Sequence, residues 1–558
     1  MATSGGGDSD ANLDVLVVGA GPTGLALATQ LRAFDVRFRI IDRLADRTKE
    51  SRALGVQART LELFQTLGLG EALVARGNSS VSVALHVDER RASAVPLGDI
   101  GATDTRFPFI LFVSQAETEA LLGDHVSSRG VTIERGVTLA RVEQDADVVR
   151  CVLEHADGRE ERVSARYLAG CDGAHSTVRE ATGIAFEGDA YPQSFVLGDI
   201  AADGPLEPDA INAFPGNGIA LFFPLGRPAP WRVIAMSPED MRGGSASRQA
   251  GEQRSLSLAD LQAIVNAPTR GTIRVRDAVW LTRFRLHHRQ TAHYRAGRLF
   301  LAGDAAHIHS PVGAQGMNTG IQDAWNLGWK LGLVLKGAAR EELLDSYEAE
   351  RWPVGHFLLR YTDRAFSTLT RVMSSGGAAA WARRVIVPVI LPTLLRSRRF
   401  RSSAFRFVSQ LGIRYSESPA VLEGEPRLEH GPRAGDRLPD VRMTRDGREV
   451  WLQQEIIGSH LALLLCGNPE GWSAGELESL SRRYPAPLRA YRIVRHGQSP
   501  DGGTLLDISG NGLAMLDVHD AAQYLVRPDG HVAFRCGGTA FGALERYLST
   551  WYPAVSAD

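Results

Sequence analysis

Near its amino terminus the chain reads Asp14-Val-Leu-Val-Val-Gly19-Ala-Gly-Pro-Thr-Gly24, a short apolar run that ends in a glycine-rich turn. The run is rich in β-branched residues, which is typical of a buried parallel strand. After the turn, residues 25–32 have the composition of a helix, and a second apolar run, residues 36–41, ends at Asp42. Strand, turn, helix and strand follow one another as in a βαβ unit, so we predict that an α/β domain with a parallel sheet opens the protein.

The glycine turn indicates a binding site for a dinucleotide. Gly19 supplies the backbone angles of the turn, Gly21 lets a diphosphate approach, and Gly24 allows close packing of the helix. The diphosphate would lie at the helix N-terminus, where free N–H groups and the helix dipole favour negative charge. Asp42 is placed to accept hydrogen bonds from a ribose hydroxyl. The alternative is a tight turn without a ligand, which we set aside because strand, helix, second strand and acid all follow in order.

The composition excludes several classes of protein. A chain of 558 residues is too long for one core, and 44% hydrophobic with 23% charged residues is an ordinary globular mixture. The formal charge of −2 creates no field that attracts nucleic acid or an anionic membrane. The four cysteines show neither CxxC nor metal-site spacing, which argues against a disulfide framework and a zinc site. We find no secretory signal and no membrane-spanning run, so we expect a soluble, cytoplasmic protein.

Two further segments carry motifs: Tyr167-Leu-Ala-Gly-Cys-Asp172-Gly-Ala-His-Ser-Thr-Val-Arg179, and Gly297-Arg-Leu-Phe-Leu-Ala-Gly-Asp304, which is followed by the loop Pro311-Val-Gly-Ala-Gln-Gly-Met-Asn318. With the first glycine turn, they resemble the three fingerprints of single-component FAD-dependent aromatic hydroxylases. The resemblance extends to Ser51–Glu62, Val113–Glu119 and Tyr347–Pro353. It implies non-covalent FAD as the cofactor and NADPH or NADH as a transient electron donor, since we find no second glycine motif for the nicotinamide nucleotide.

The resemblance also assigns site residues position by position. The residues expected to bind FAD are Gly19, Gly21, Pro22, Thr23, Gly24, Asp42, Arg43, Arg52, Gln115, Leu139, Asp172, Gly173, Asp304, Pro311, Gly313, Gly316, Met317 and Asn318. Arg52, along the diphosphate and ribityl chain, and Pro311, facing the reactive edge of the flavin, are the expected catalytic residues. His175 and Arg179 are expected to meet NAD(P)H, with a hydrogen bond inside its own loop as the alternative for His175. The 311–318 loop opens a helix predicted from Gly320 to Lys336.

The same resemblance predicts the order of the domains. We expect a disordered N-terminus (1–12), a discontinuous Rossmann-like FAD-binding domain with a helical extension (13–184 and 291–423), an antiparallel-sheet substrate domain inserted into it (185–290), and a thioredoxin-like domain (435–558). The stretch 355–423 is predicted to be helical, and 424–440 reads as a linker. The thioredoxin-like assignment rests on Ala434–Asp440 and Tyr524–Arg535. Because Cys466 lacks a CxxC partner, we expect that domain to have a structural or assembly role.

The sequence also offers candidate residues for a substrate pocket. Phe214, Phe222, Phe223 and Trp231 lie on the predicted antiparallel sheet and are candidates to wall an aromatic pocket, with core packing as the alternative.

The resemblance implies a monooxygenase that uses NAD(P)H and O₂ to hydroxylate a phenolic, polycyclic polyketide-like substrate of antibiotic biosynthesis through a flavin hydroperoxide. Baeyer–Villiger oxygenation or an oxidative rearrangement on the same scaffold, and a non-catalytic flavin-binding sensor, stay open. We expect no metal at the histidines near residues 287–309. The oligomeric state also stays open, with a dimer as one alternative.

Overall fold

The computed structural model describes residues 13–47, 53–79, 81–87, 90–96, 102–226, 228–241, 256–309, 314–374, 405–406, 408–467, 471–484, 488–495 and 504–554. Some predictions fall outside these ranges. They concern the N-terminal residues 1–12 and the expected cofactor residues Arg52, Pro311 and Gly313.

Within the described residues, the secondary structure consists of three large sheets, one small sheet and the helices between them. The strands are β1 Leu13–Val18, β2 Phe38–Asp42, β3 Gly55–Val56, β4 Ser82–Val87, β5 Arg90–Pro96, β6 Leu111–Phe112, β7 Ile133–Arg135, β8 Val137–Gln144, β9 Val149–His155, β10 Glu160–Gly170, β11 Phe186–Asp203, β12 Ala210–Gly216, β13 Gly218–Pro224, β14 Trp231–Met236, β15 Arg274–Thr291, β16 Arg295–Ala296, β17 Leu299–Leu301, β18 His307–Ile308, β19 Leu422–Glu423, β20 Arg442–Arg445, β21 Arg448–Trp451, β22 Leu461–Gly467, β23 Leu488–Arg495, β24 Thr504–Asp507, β25 Ala521–Val526 and β26 Val532–Gly537. The α-helices are α1 Pro22–Ala33, α2 Ala58–Gln65, α3 Gly70–Val74, α4 Gln115–Ser128, α5 Thr177–Thr182, α6 Pro238–Met241, α7 Leu258–Thr269, α8 Gly316–Leu335, α9 Asp345–Ser374, α10 Leu452–Ile456, α11 Ala474–Arg483, α12 Asn511–Met515 and α13 Gly542–Trp551.

The first sheet has the strand order β16-β17-β10-β1-β2-β7, with β9 and β8 attached beside β10. Strands β17, β10, β1, β2 and β7 run parallel to one another. The apolar run of β1 is fully buried at its centre, as expected for a strand covered on both faces. The α/β fold predicted from the first residues is therefore confirmed.

Helices α1 and α8 pack closely because α8 has glycines along the face that meets α1. A Cβ atom at Gly328 would lie 2.5 Å from the side chain of Gln30, and one at Gly332 would overlap the ring of Phe34. The helix begins at Gly316, not near Gly320 as predicted. Because glycine has a low helix propensity, the sequence predicts the later start. The glycines are nevertheless kept in the helix because its close packing against α1 leaves no room for side chains.

The second sheet is the antiparallel one expected from residue 185 onward, with the order β18-β15-β11-β14-β13-β12-β4-β5. It also contains the hairpin of β4 and β5, because β4 pairs in parallel with β12. This hairpin precedes the predicted insertion by about a hundred residues of chain. Pairing between such distant segments leaves no periodic signal in the sequence, so the boundaries drawn at 185 and 290 do not include it.

The two faces of the second sheet differ in what they contact. We call one the α7 face. Its residues Phe214, Phe222, Trp231 and Val233 pack in one apolar cluster with Val265 of α7. We call the opposite face the inner face. Its apolar residues form two clusters, one with Tyr191, Phe195, Met236 and Met241, the other with Leu54, Val81, Phe112 and Leu225. Residues 231–236 alternate between the two faces, as the period of a strand requires.

The third sheet lies in the terminal part of the chain, with the order β19-β26-β25-β22-β23-β24-β20-β21. Strands β22, β23 and β24 are parallel to one another, whereas β25 is antiparallel to both of its neighbours, β22 and β26, and the short edge strand β19 pairs in parallel with β26. The thioredoxin-like topology stays a prediction. Two features differ from the sequence reading: β19 joins this sheet before residue 435, and residues 409–421 form turns and irregular backbone, where a helix was predicted. Pro419 and Gly412 explain why a helix does not continue there.

Candidate functional site

The segments with sequence motifs converge on one edge of the first sheet. The parallel strands β17, β10, β1 and β2 are neighbours, and their carboxyl ends meet at this edge. The residues that follow or end these strands are Asp304, Asp172, the 19–24 turn and Asp42, and we call them the carboxyl edge. In open α/β sheets, ligands bind outside the carboxyl ends of the strands. The topology therefore brings the predicted cofactor residues of three distant segments together.

The three glycines of the 19–24 turn differ in what requires them. Gly19 has a φ of +101°, and a Cβ atom there would overlap the carbonyl oxygen of Cys171. A Cβ atom at Gly24 would overlap the carbonyl oxygen of Gly19. Gly21 has an ordinary φ of −75°, and a Cβ atom there would meet no described atom within 4 Å beyond its chain neighbours. Packing thus explains Gly19 and Gly24, whereas the open space at Gly21, the N-cap of α1, fits a diphosphate.

The start of α1 is completed by Pro22 and by the carboxylate of Asp42. Pro22 occupies the first helical turn, where its missing N–H costs nothing. Asp42 Oδ2 accepts a hydrogen bond from the N–H of Ala20 at 2.7 Å, and Oδ1 accepts one from the N–H of Leu44 at 2.8 Å. Each oxygen has a second lone pair, so Asp42 can brace the turn and still accept a sugar hydroxyl. Arg43 beside it is exposed.

Asp304 lies in a single 3-10 turn, Gly303–Ala305, directly after β17. Gly303 has a φ of +62°, and a Cβ atom there would lie 2.5 Å from the hydroxyl oxygen of Thr23. A Cβ atom at Gly320 would meet the same oxygen. The turn therefore sits against the first turns of α1 and α8, with Asp304 itself exposed. This position suits a carboxylate that binds a sugar hydroxyl.

Asp172 holds the loop that follows β10. Its Oδ1 accepts the hydroxyl of Ser176 at 2.5 Å, and its Oδ2 accepts the N–H of Val178 at 3.2 Å. Burial raises the pKa of Asp172, and these hydrogen bonds act in the opposite direction. Gly173 beside it has a φ of +79° and open space around its Cα, while His175 is exposed. The contacts of Asp172 are made within its own loop.

The side chain of Arg179 makes its contacts within the protein. Its Nη1 donates to the carbonyl oxygen of Ala305 at 3.0 Å, and its guanidinium lies 4.0 Å from the ring centre of Phe186. Burial lowers the pKa of Arg179. These contacts tie the 172–179 loop to the Asp304 turn. The expected contact of His175 and Arg179 with NAD(P)H stays a prediction, and the structure gives Arg179 an additional, structural task.

Gln115 is held at the first turn of α4 by two hydrogen bonds. Its Nε2 donates to Glu119 Oε1 at 2.7 Å, and its Oε1 accepts the N–H of Ala53 at 3.2 Å. Glu119 is almost fully buried, and burial raises its pKa. The amide of Gln115 therefore has one fixed orientation next to the segment that leads into residue 53.

Two predicted cofactor residues have side chains that the fold itself uses. Leu139 is 3% exposed and packs in the apolar core of the first sheet. Asn318 Oδ1 accepts the N–H of Gln57, and its Nδ2 donates to the carbonyl oxygens of Gly55 and Ala314, each at 2.8 Å. Contact with a ligand at these positions would have to come from the backbone.

The backbone at the start of α8 offers such groups. The helix begins at Gly316, so the N–H groups of Gly316, Met317 and Asn318 have no acceptor inside the helix. The helix is 20 residues long, and its dipole adds a partial positive charge at this end. The start of α8 would therefore stabilise a negatively charged edge of a bound ring.

A buried ion pair connects the inner face of the second sheet to Ala53, the residue whose N–H is bound by Gln115. Arg232 Nε and Nη2 donate to the two oxygens of Asp199 at 2.6 and 2.8 Å, and neither side chain is exposed. Arg232 Nη1 reaches the carbonyl oxygen of Ala53 at 2.8 Å, and the indole N–H of Trp280 donates to Asp199 at 2.9 Å. The sequence analysis missed this pair, although an arginine inside an apolar strand run was its signal.

The four aromatic residues expected to contact the substrate divide between the two faces. Phe214, Phe222 and Trp231 belong to the core of the α7 face and are at most 7% exposed. Their side chains thus follow the alternative of core packing, because strand alternation turns them toward α7. Phe223 points to the inner face, where its ring centre lies 6.1 Å from that of Phe112.

The inner face has aromatic residues that the sequence analysis did not single out. The rings of Phe195 and Phe284 stack with their centres 5.9 Å apart. The hydroxyl of Tyr191 donates to Asp363 of α9 at 2.7 Å. Period-two alternation could have separated Phe222 from Phe223, but it does not say which face is covered by a helix.

A separate cleft of about 1020 Å³ opens between the end of α3 and the β13–β14 hairpin. It is bordered by Arg76, Asn78, Glu117, Leu225 and Trp231, among others. No residue of the carboxyl edge borders it, so this cleft is not the dinucleotide site despite its size.

No helix within the described parts of the chain is both long and apolar enough to cross a membrane. Residues 12–362 match the model of a protein family described as FAD binding domain. The 6-methylpretetramide 4-monooxygenase of Streptomyces rimosus is 35% identical over 541 residues, which cover 93% of this chain and 90% of that protein.

Two solved structures extend the comparison to the whole fold. The anhydrotetracycline hydroxylase of Streptomyces rimosus is 31% identical with a TM-score of 0.72, covering 98% of this chain and 100% of that one. A ternary complex of aklavinone-11 hydroxylase with FAD and aklavinone is 26% identical with a TM-score of 0.74, covering 97% of this chain and 99% of that one. The family match, the full-length relative and the carboxyl edge agree with one another, and they confirm FAD as the cofactor and monooxygenation as the activity. The chain belongs to the family of FAD-dependent aromatic monooxygenases.

Proposed function

We propose that the carboxyl edge holds FAD with its diphosphate beside Gly21 and its sugar hydroxyls on Asp42 and Asp304. The observation that carries this proposal is the unexplained glycine at position 21. Neither its backbone angles nor its packing requires glycine, yet a side chain there would fill the space in front of the α1 N-terminus. A diphosphate in that space gains the free N–H groups and the dipole of the helix.

The start of α8 supports the ring end of the cofactor in this proposal. Flavin bound here would supply the redox chemistry, namely acceptance of a hydride from NADPH or NADH and reaction with O₂. The N–H groups of residues 316–318 stabilise negative charge on the reduced ring. Gln115, with its amide held by Glu119 and Ala53, orients the chain between diphosphate and ring.

We further propose that the substrate is a phenolic compound with fused rings, and that it binds against the inner face of the second sheet. Phe195 and Phe284 provide stacked aromatic surface there, and Ile219, Ile234 and Phe284 keep part of their surface exposed. Flat apolar rings pack well on aromatic surface.

Polar groups border this aromatic surface. Asp240 accepts hydrogen bonds from Ser194 at 2.7 Å and from Arg283 at 3.2 Å. A fused-ring phenol has the matching combination of apolar rings and polar substituents. The relatives named for 6-methylpretetramide and anhydrotetracycline support a polycyclic substrate over a simple phenol.

The test is a substrate screen with FAD-loaded protein. NADPH consumption is measured with mono-, bi- and tetracyclic phenols under ¹⁸O₂, and products are analysed by mass spectrometry. We expect a polycyclic phenol to stimulate NADPH consumption and its product to gain one ¹⁸O atom as a hydroxyl. Gain of that atom inside a ring would indicate Baeyer–Villiger oxygenation, and turnover of monocyclic phenols alone would contradict the proposed substrate class.

A further inference from the structure

Two sequence motifs that the cofactor site does not use, 347–353 and 524–535, meet inside the protein. Arg527 stands at the turn between β25 and β26, and Glu350 stands on α9, 177 residues away in sequence. Arg527 Nη1 and Nη2 donate to the two oxygens of Glu350 at 2.7 and 2.8 Å. Neither side chain is more than 1% exposed. A bidentate pair of this kind fixes the orientation of both partners.

Further polar and charged side chains complete this contact, which we call the junction: Asn326, Trp329 and Lys330 of α8, Glu350 and Arg351 of α9, and Arg527 and Asp529 of the turn between β25 and β26 (residues 527–531), which we call the terminal turn. Lys330 Nζ donates to Glu350 at 2.8 Å, and the indole N–H of Trp329 donates to Asp529 at 3.2 Å. Arg59 of α2 donates to the backbone carbonyl of Asp529. Removing one partner of a buried pair leaves an uncompensated charge, so the terminal turn is held in a single position.

The junction continues to the carboxyl edge through the residue after Glu350. Arg351 Nε donates to Asp323 Oδ1 at 2.7 Å, and both side chains are fully buried. Arg351 Nη1 donates to the hydroxyl of Tyr415 at 2.9 Å, and the ring of Tyr415 lies 4.3 Å from that of His531 in the terminal turn. Arg351 is thus held on one side by Tyr415, whose ring packs on the terminal segment (residues 435–558), and it holds Asp323 on the other.

Asp323 contacts the first residue of the turn that contains Asp304 and a residue of β18 just after that turn. Its Oδ2 accepts the N–H of Gly303 at 3.1 Å and the Nε2–H of His307 at 2.7 Å. Burial by itself would raise the pKa of Asp323, but Arg351 and His307 outweigh it and hold the pKa below its usual value. The carboxylate is therefore ionised and is a strong acceptor for both donors.

We propose that Asp323 is the positioning residue of the Asp304 turn, and that the terminal segment holds it in place through Arg527, Glu350 and Arg351. The inference rests on the proposed FAD site at Asp304. In this arrangement the terminal segment controls retention of the cofactor without touching it. If Asp323 loses a donor or its own support, the turn relaxes and the carboxylate of Asp304 no longer faces the sugar chain. Asp323 had a signal in the sequence, because it and Lys330 are the charged residues of an otherwise neutral helix.

The test compares two variants of His307 in the full-length protein. Gln can still donate an N–H to Asp323 in His307→Gln, whereas His307→Leu removes the donor. The readouts are the FAD dissociation constant and the visible absorption spectrum of bound FAD. We expect His307→Leu to raise the dissociation constant roughly ten- to hundredfold and to shift the absorption bands, and His307→Gln to restore both most of the way.

A second pair of variants tests the terminal segment. Tyr415→Phe removes the hydroxyl that holds Arg351, and Arg527→Met removes the junction pair. Arg445→Met is the matched control, because it breaks a 2.8 Å pair with Glu455 elsewhere in the terminal segment. We expect both Tyr415→Phe and Arg527→Met to weaken FAD binding, with the larger loss in Tyr415→Phe. Arg445→Met should leave FAD binding unchanged.

Two outcomes would overturn the inference. Parental affinity and spectrum in both His307→Leu and Tyr415→Phe would show that the Asp304 turn needs no support from Asp323. A parent protein that binds no FAD would overturn the proposed cofactor site as well. The parent measurement therefore distinguishes failure of the inference alone from failure of both.

Discussion

The carboxyl edge and the junction are both polar regions of the protein, but they are built from different groups. At the carboxyl edge the binding capacity lies in backbone N–H groups at the starts of α1 and α8, and Gly21 keeps open space in front of them. The junction consists mainly of charged side chains, and both of its acids, Glu350 and Asp529, are paired with Arg527 and excluded from solvent.

This difference teaches where a ligand can bind. A group whose hydrogen bonds are complete within the protein has nothing to offer a ligand, and the junction is of this kind. The carboxyl edge includes the start of α1, whose first N–H groups have no acceptor inside the helix and can bind solvent or a ligand. Variants can therefore distinguish the two regions, because those at the junction should lose stability and one at the open part of the carboxyl edge should lose the cofactor.

The largest loss of stability is expected for Gly24→Val. A side chain at Gly24 overlaps the backbone of Gly19, which cannot move without breaking the first turn. We expect a loss of more than about 4 kcal/mol in the free energy of unfolding, measured by thermal or chemical denaturation of the apoprotein. A variant that unfolds like the parent would show that β1 and α1 are not packed as described.

The next effect belongs to the junction. Glu350→Ala leaves Arg527 and Lys330 without their buried acid, and we expect it to cost about 3–5 kcal/mol in the free energy of unfolding. Glu455→Ala, which removes the partner of Arg445 in a part-exposed pair, should cost about 0–1 kcal/mol. Equal losses in the two variants would remove the distinction between the junction and an ordinary surface pair.

The two faces of the second sheet give a smaller contrast. Phe222 is fully buried on the α7 face, so Phe222→Ala should cost about 3 kcal/mol of stability and leave the KM for an aromatic substrate unchanged. Phe284 is only partly buried on the inner face, so Phe284→Ala should raise that KM with less effect on stability. Steady-state kinetics beside denaturation checks both, and a reversed pattern would place the substrate on the other face.

The smallest effect is a pH dependence at Asp440, a buried acid beside Glu62 at the border of the terminal segment. Burial, reinforced by Glu62, raises the pKa of Asp440 to about 7. Between about pH 4 and pH 7 the folded state then keeps a proton that the unfolded state has lost, so this group lowers stability as pH rises through that window.

Asp440→Asn removes this titration and keeps an oxygen for the N–H of Gln453. We therefore expect the variant to gain about 2 kcal/mol relative to the parent between pH 5 and pH 7.5, measured by denaturation at each pH. A constant difference across that range would contradict the raised pKa.

Local patterns predicted the part of the fold that local chemistry determines. The β-branched run, the glycine turn and Asp42 suffice for β1, α1 and β2, because each signal lies within a few residues of the structure it specifies. The family resemblance then predicted the cofactor and the activity correctly, and it led to Asp304, which the topology places near the 19–24 turn.

Contacts between distant residues could not be predicted in the same way. Strand alternation is visible at residues 231–236, but the packing of α7 decides which face becomes core. The pairing of Glu350 with Arg527 joins two motifs that the sequence shows only separately. Asn318 was predicted to bind the cofactor, yet its side-chain amide forms hydrogen bonds with three backbone groups, at residues 55, 57 and 314.

The most direct test of the cofactor site is the FAD affinity of Gly21→Val beside the control Gly475→Val. A Cβ atom at either position meets no described atom within 4 Å beyond its chain neighbours, and both positions lie at the start of a helix. We predict that Gly21→Val loses FAD affinity by at least about a hundredfold while its apoprotein unfolds within about 2 °C of the parent. Gly475→Val should match the parent in both respects. Parental FAD affinity in Gly21→Val would contradict the claim that the diphosphate lies at the start of α1.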